Sequence, residues 1–304
     1  MSANRIVLPG GSGFLGSAIA EFYAKTGVET VVLSRRPHAP IGSIRFVRWD
    51  AKSVEDWAGE LEGARAIINL TGKSVNCRQT PENRKAILGS RVDSVHAVGK
   101  ALAACANPPP LWIQASSLAI YGDPGERVCD EECPSGEGFG AEVSVAWEAA
   151  LSEHEIPGVR KACLRIGFVL GRDGGALPVL LRLAKWGLGG HAGSGRQGVS
   201  WIHLADFLGI VDHVLQNDSI DGPLNVASPN PTSLRDLMFE IRRAVRRPWS
   251  PPIPAPIVRL GAALMGSDPE LVLHGRRCVP QRLLDAGYAF RFDDLREALK
   301  DLTS

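Results

Sequence analysis

Residues Arg5 to Arg36, RIVLPGGSGFLGSAIAEFYAKTGVETVVLSRR, leave few folds open to this chain. A short apolar run, Ile6 to Leu8, stops at Pro9, and Gly10, Gly13 and Gly16 follow at three-residue spacing. The first glycine permits a tight turn, the second removes a side chain from the path of a phosphate, and the third allows close helix packing on the sheet. Ala18, Ile19, Phe22 and Tyr23 then recur at helical spacing, Gly27 is placed to end that helix, and Val31 to Leu33 give a second buried strand. Glycines in this strand-to-helix context predict a dinucleotide site, with Gly10, Gly13, Phe14, Leu15 and Gly16 around a pyrophosphate at the helix N-terminus.

The residues after the second strand select the cofactor. A carboxylate there would accept hydrogen bonds from an adenosine ribose, whereas an arginine suits a 2′-phosphate. This chain has Ser34, Arg35 and Arg36. Guanidinium groups form charge-assisted, often bidentate bonds to phosphate, so the sequence favours NADP(H) over NAD(H). Two solvated surface arginines are the plain alternative.

At 304 residues and 44% hydrophobic composition, the chain can bury one sizeable core or one core with a smaller lobe. Its formal net charge of +1 provides no basic field for nucleic acid. No apolar run approaches the roughly 18 residues of a membrane span, and only four residues precede the first strand, so a cytoplasmic protein without a leader or membrane segment is expected. The six cysteines, at 77, 105, 129, 133, 163 and 278, are too scattered for a disulfide framework and complete no four-ligand metal set. The expected partner is a small-molecule substrate, and the chain a monomer or homodimer.

Further along, Ile44 to Val47 reads as a third strand ending at Trp49 and Asp50, and Asp50 either meets an adenine edge or caps the next turn. Ala66 to Leu70 reads as a fourth, and Asn69, Thr71 and Gly72 fall at its carboxyl end, where ligands lie in open α/β sheets. Thr80 and Pro81 signal a helix start. Leu111 to Ala115 is another strand, followed by Ser116, Ser117 and, four residues later, Tyr121.

These phrases, with INLTGKSV, ENRKAILGSRVDSV, AWEAA, RIGFVLGRDGGAL, SGRQGVSWIHLADF, GPLNVASPNP and RRCVPQRLLDAGYAF, resemble the extended short-chain dehydrogenase/reductase superfamily of nucleotide-sugar epimerases. More narrowly, the chain resembles an epimerase-like NAD(P)-binding family that carries its own small C-terminal domain. The resemblance implies a Rossmann-type doubly wound parallel sheet with a small, mostly helical C-terminal substrate lobe. It adds Arg91, Ala115, Gly167, Phe168 and Val169 to the cofactor contacts. It also implies a serine that orients substrate, matched by Ser117, and a tyrosine acid/base with a lysine four residues on. That pair is missing: Gly27, Gly125 and Phe292 stand four residues after Tyr23, Tyr121 and Tyr288. The superfamily spacing puts Glu142 near the tyrosine position and Ala146 near the lysine position. Glu142 is therefore the leading substitute base, or else a solvated helix residue, and Tyr121 is a second candidate acid. Lys73 is a candidate for phosphate or substrate.

Ile166 to Leu170 reads as a further strand, and a glycine-rich stretch follows, about 171–200, able to close over a ligand. Arg196 is suited to clamp an anion, Gln197 to read a hydroxyl and Trp201 to stack, while His203 is either a catalytic or a packing histidine. The expected division is a cofactor domain over 1–228 and a small domain over 229–304. Ser233 and Asp236 predict a capping box at the first helix of the latter, and Arg276, Arg277 and Arg282 are expected toward the cleft.

Overall fold

The computed structural model of the chain describes residues 4–247 and 249–304. Met1 to Ala3, on which the expectation about a leader bears, lie outside them. In chain order the first half forms β1 (Arg5–Pro9), α1 (Phe14–Ala24), β2 (Glu29–Ser34), β3 (Ile44–Arg48), β4 (Ala66–Asn69), α2 (Pro81–Ala104), β5 (Leu111–Ser117), the short β6 (Val128–Cys129) and α3 (Phe139–Ser152). Then come β7 (Arg160–Ile166), β8 (Phe168–Leu170), α4 (Leu177–Lys185), β9 (Gly198–Val199), β10 (Trp201–His203), α5 (Leu204–Gln216) and β11 (Gly222–Val226). The remainder gives β12 (Thr232–Ser233), α6 (Leu234–Ala244), α7 (Ala255–Met265), α8 (Glu270–Leu273), β13 (Arg277–Cys278), α9 (Gln281–Asp285) and α10 (Leu295–Thr303).

Seven strands make one parallel sheet in the order β11-β7-β5-β4-β1-β2-β3. Strand alternation divides its side chains between two cores. Ile6, Leu8, Val32, Ile68 and Ile113 face one side with Ile19 of α1 and Phe207 and Ile210 of α5. Val7, Val31, Leu33, Ile67 and Trp112 face the other with Val95 and Val98 of α2 and Trp147 of α3. The chain reverses direction across the sheet between β1 and β4, and that switch point opens a crevice at the strands' carboxyl ends.

The strand expected over Ile166 to Leu170 is two. Gly167 separates β7, in the main sheet, from β8, which pairs with β10 instead. Gly167 donates its N–H to Val226 and Phe168 donates to Ser200, so the backbone turns from one ladder to another. A Cβ at Gly167 would stand 2.6 Å from the Ser200 carbonyl oxygen, so only glycine fits this crossing.

A third core joins distant segments: Leu170, Leu177, Ala184 and Trp201 pack with Leu237 and Ile241 of α6 and Ala298, Leu299 and Leu302 of α10. Cross-pairs β12–β9 and β13–β6 tie the C-terminal residues to the sheet domain. Asp206, 1% exposed, accepts the N–H groups of Arg291 and Phe292 at 2.7 and 2.9 Å. The glycine-rich stretch is therefore folded in place. It carries α4, and Ser250 fastens Gly187 and Gly189 at 3.0 and 3.2 Å.

Under α2 and α3, His96 Nδ1 lies 3.0 Å from His154 Nε2. Burial, reinforced by the His96, Lys161 and Lys100 charges, holds His154 below the usual histidine range, and burial does the same to His203. A histidine with a depressed folded pKa disfavours the folded state once it must charge. The expected result is a melting temperature that falls as pH drops through about 6.5 and below, the unfolded histidine value. His154→Leu should flatten part of that fall in a pH series of thermal melts; an unchanged slope would show that His154 is not its source.

Candidate dinucleotide site

The glycine turn sits at the mouth of the crevice. Gly10 has φ of +73°, and a Cβ there would meet the Thr71 backbone at 2.8 Å, so this turn and the end of β4 touch directly. A Cβ on Gly13 meets only one atom within 4 Å, the Gly10 carbonyl oxygen at 3.9 Å, so the surface above it is open to a ligand. Gly16 packs on the turn itself: its Cβ would stand 2.4 Å from Gly11 Cα, a contact with the loop where the sequence pattern suggested the sheet. No side chain caps α1 at Gly13, which leaves its first N–H groups, on Phe14, Leu15 and Gly16, directed at the crevice. The Phe14 ring lies where side chains on Gly171 and Gly174 would stand, at 2.4 and 2.2 Å, and so wedges α1 against the start of the glycine-rich stretch.

Ser34 is buried at the end of β2 with its hydroxyl 3.4 Å from that of Ser12, while Arg35 and Arg36 are exposed. No ion pair holds either arginine among the described residues. Asp50 is not a free ligand for adenine. Its carboxylate accepts from the Lys52 and Ser53 N–H groups, both at 2.8 Å, and from the Ser53 hydroxyl, and these bonds hold its pKa below the ordinary value.

At the end of β4, Asn69 is fully buried. It donates to Gln114 at 3.0 Å and Ser94 at 3.3 Å and accepts from Thr71 N–H, so it shapes the turn from beneath. Gly72 is exposed beside Arg91, whose Cζ lies 3.1 Å from the site of a Gly72 Cβ. The Arg91 guanidinium stacks over Trp147 at 4.8 Å and donates to the Lys73 and Ile87 carbonyls, both at 3.0 Å. Burial pushes its pKa down to about 10, and no carboxylate pairs with it among the described residues. A desolvated cation without a counter-ion, beside the carboxyl end of β4, fits a bound anion. Lys73 turns instead to Asn83, at 2.7 Å.

Ser117 closes β5 half-buried, its hydroxyl accepting from Ala119 N–H at 3.1 Å, while Ala115 is buried two residues earlier. Tyr121 is not an available acid. It is 1% exposed, donates to Asn225 at 2.8 Å and accepts from Arg165, and burial raises its pKa far out of the working range. Glu142 stands in the first turn of α3, with its side chain 68% exposed and 3.7 Å from Arg84. Arg84 in turn covers the Phe139 ring at 4.0 Å.

Several substrate candidates prove structural. Trp201 is fully buried in the third core, donating to the Asn230 carbonyl at 2.9 Å, and has no face left for stacking. His203 caps α5 by accepting Ala205 N–H at 3.0 Å, stacks on Phe292 at 4.0 Å and lies 3.3 Å from Asp301. Gln197 donates to the Ala192 and Val272 carbonyls. Arg196 remains exposed. Phe168 packs half-buried on the third core and Val169 is buried in the first. Of the C-terminal arginines, Arg282 binds the Pro223 carbonyl and Asp221. Arg276 reaches the Gly122 carbonyl at 3.1 Å, desolvated and without a carboxylate partner among the described residues.

A doubly wound parallel sheet, an uncapped helix after a glycine turn and unpaired arginines at the strand ends define a Rossmann-type dinucleotide-binding protein. Residues 6–227 match the NAD dependent epimerase/dehydratase family, and the chain belongs to that family. Residues 253–302 match a C-terminal domain of unknown function, DUF1731. The mouse epimerase family protein SDR39U1 is 34% identical over 99% of this chain and 100% of its own length. YfhF, an epimerase family protein of Bacillus subtilis, is 32% identical over 98% of this chain and 97% of its own. The crystal structure of human SDR39U1 with NADPH superposes with a TM-score of 0.88 at 30% identity, covering 98% of this chain and 99% of that one. Among the described residues no helix is long and apolar enough to cross a membrane.

Proposed function

We propose that the protein is an NADP(H)-dependent, epimerase-like oxidoreductase acting on a small polar substrate that carries negative charge. The observation that carries this reading is the set of cations without acidic partners at the ends of strands that meet the glycine turn: Arg35 and Arg36 directly after Ser34, whose hydroxyl reaches Ser12, and Arg91 beside Gly72. The NADPH in the human relative's structure supports the same choice. When bound, the cofactor supplies or accepts a hydride. The N–H groups of Phe14, Leu15 and Gly16 and the Arg91 guanidinium hold the pyrophosphate, and Arg35 and Arg36 hold the 2′-phosphate. Ser117 donates a hydrogen bond to a substrate oxygen while its own oxygen accepts Ala119 N–H. Arg276 anchors the substrate's anionic end. Glu142, exposed beside Arg84, takes the place of the missing tyrosine: it accepts the substrate hydroxyl proton when the substrate is oxidised and, protonated, returns it to the carbonyl oxygen when NADPH reduces the substrate.

A thermal-unfolding series tests the cofactor. NADPH at about 100 times its dissociation constant should add about 2.7 kcal/mol, and NADH at the same concentration clearly less. A larger shift with NADH would sink the arginine assignment. For catalysis, NADPH oxidation is followed against carbonyl compounds and sugar nucleotides, then repeated with Ser117→Ala and Glu142→Gln. Each should lower kcat by roughly tenfold or more, the scale of a lost acid/base or positioning group, and full activity in both would discard this site.

One observation favours a second reading, an NADP(H)-binding sensor or scaffold without turnover. All three tyrosines are tied down: Tyr23 to Asp212, Tyr121 to Asn225 and Tyr288 to Asp206. Tight NADPH binding with no oxidation across the substrate panel would select it.

A further inference from the structure

The β2–β3 pairing places a residue beside the phosphate pocket that the motif does not contain. Ser34 and Arg48 are register partners at the carboxyl ends of these strands. Partners in a parallel pair project to the same side of a sheet. That side is fixed twice. The Ser34 hydroxyl reaches Ser12 in the glycine turn, and Phe46, two residues before Arg48, packs on the α1 side with Val32. Trp49 goes to the opposite core, as alternation requires. Arg48 therefore rises on the glycine-turn side, next to Ser34, with Arg35 and Arg36 immediately after the end of the neighbouring strand. It is exposed and has no ion pair or hydrogen-bond partner among the described residues. The nearest carboxylate in sequence, Asp50, is engaged by its own turn and forms no ion pair with Arg48, and Lys52 turns to Asp93 at 3.4 Å.

We propose that Arg48 is a third arm of the 2′-phosphate site and sets the preference for the phosphorylated dinucleotide, so that the phosphate is bracketed from β2 and β3 together. This rests on the NADP(H) reading above. A phosphate monoester near neutral pH carries close to two charges and three acceptor oxygens, more than one guanidinium fork satisfies.

The test uses the full-length protein in calorimetric titrations with NADPH, NADH, 2′,5′-ADP and 5′-ADP. The variants are Arg48→Gln, the pair Arg35→Gln with Arg36→Gln, and Lys52→Gln, which removes one charge nearby but outside the pocket. Arg48→Gln should weaken NADPH and 2′,5′-ADP by about tenfold, the worth of a charge-assisted contact, and change NADH and 5′-ADP by less than about twofold. Lys52→Gln should leave all four within about twofold, since an exposed charge outside the pocket acts only through a screened field. An Arg48→Gln protein that keeps the native NADPH-to-NADH ratio, while the Arg35/Arg36 variant loses it, overturns the role of Arg48 alone. Equal affinity of the unmodified protein for NADPH and NADH overturns the cofactor reading and Arg48 with it. A loss in Lys52→Gln equal to that in Arg48→Gln would reduce the effect to general charge and also overturn the proposal.

Discussion

Gly16→Val is expected to abolish dinucleotide binding and to destabilise the fold at the same time. The first side-chain atom alone would stand 2.4 Å from Gly11 Cα and 2.6 Å from its carbonyl oxygen, and both obstacles are backbone. Either α1 moves away from the turn or the turn opens, and in both cases the N–H groups of Phe14 and Leu15 leave their positions. Overpacking of this kind costs about 1–3 kcal/mol of stability. Loss of the phosphate-facing amides should raise the NADPH dissociation constant by roughly a hundredfold, equivalent to about 2.7 kcal/mol. Gly261→Ala is the matched control. Nothing lies within 4 Å of a Cβ there, and its place inside α7 favours alanine by about 0.5–1 kcal/mol. Calorimetric titration and thermal melts of the two variants separate the claims. Near-native NADPH affinity in Gly16→Val would mean that the turn does not hold the cofactor.

The second large effect lies beneath the site. Arg165 donates to both Glu148 oxygens, at 3.0 and 2.9 Å, and also to Tyr121 and the Glu131 carbonyl. Ser116 donates to the same carboxylate at 2.7 Å. The two charged side chains are 10% and 18% exposed, so this pair is nearly dry. Glu148 of α3 is thereby tied to β7 through Arg165 and, through Ser116, to β5, the strand that ends in Ser117. Glu148→Ala strands a buried guanidinium, and such a loss costs about 3–5 kcal/mol. For a chain of this size that is a melting temperature lower by on the order of 10 °C. Glu148→Leu combined with Arg165→Met should recover much of the loss, because an apolar pair of similar volume removes the unpaired charge. If the double variant is no more stable than Glu148→Ala, stranded charge is not the cause.

What the sequence made legible follows from how local each signal is. The turn from Gly10 to Gly16 and the cap at Thr80, which accepts Asn83 N–H at 3.3 Å, are decided within a few residues, and both form where expected, Gly16 packing on the turn itself and not on the sheet. So does the box in which Ser233 accepts Asp236 N–H and donates to its carboxylate. The errors concern side chains whose partners lie far away in sequence. Trp201 looked suited to stacking, yet Asn230 and the third core take up its ring. Tyr121 looked like an acid until Asn225, 104 residues later, claimed its hydroxyl. Arg48 illustrates the converse. Its place beside Ser34 depends on β2–β3 register, which no motif encodes. A rule that residues next to a β2 arginine pair should be sought at the end of β3 would have found it.

The third core also has a consequence in time. Its walls come from Leu170, Trp201 and Leu237, but Ala298, Leu299 and Leu302 of α10 complete it. During synthesis the sheet is whole once β11 has emerged, while α10 follows roughly 80 residues later, about 4–16 s at ordinary elongation rates. For that interval the nascent protein holds a finished nucleotide fold beside an open apolar trough. Chaperone capture at the ribosome is expected to concentrate there, and a ribosome stalled before α10 would release a chain prone to aggregate.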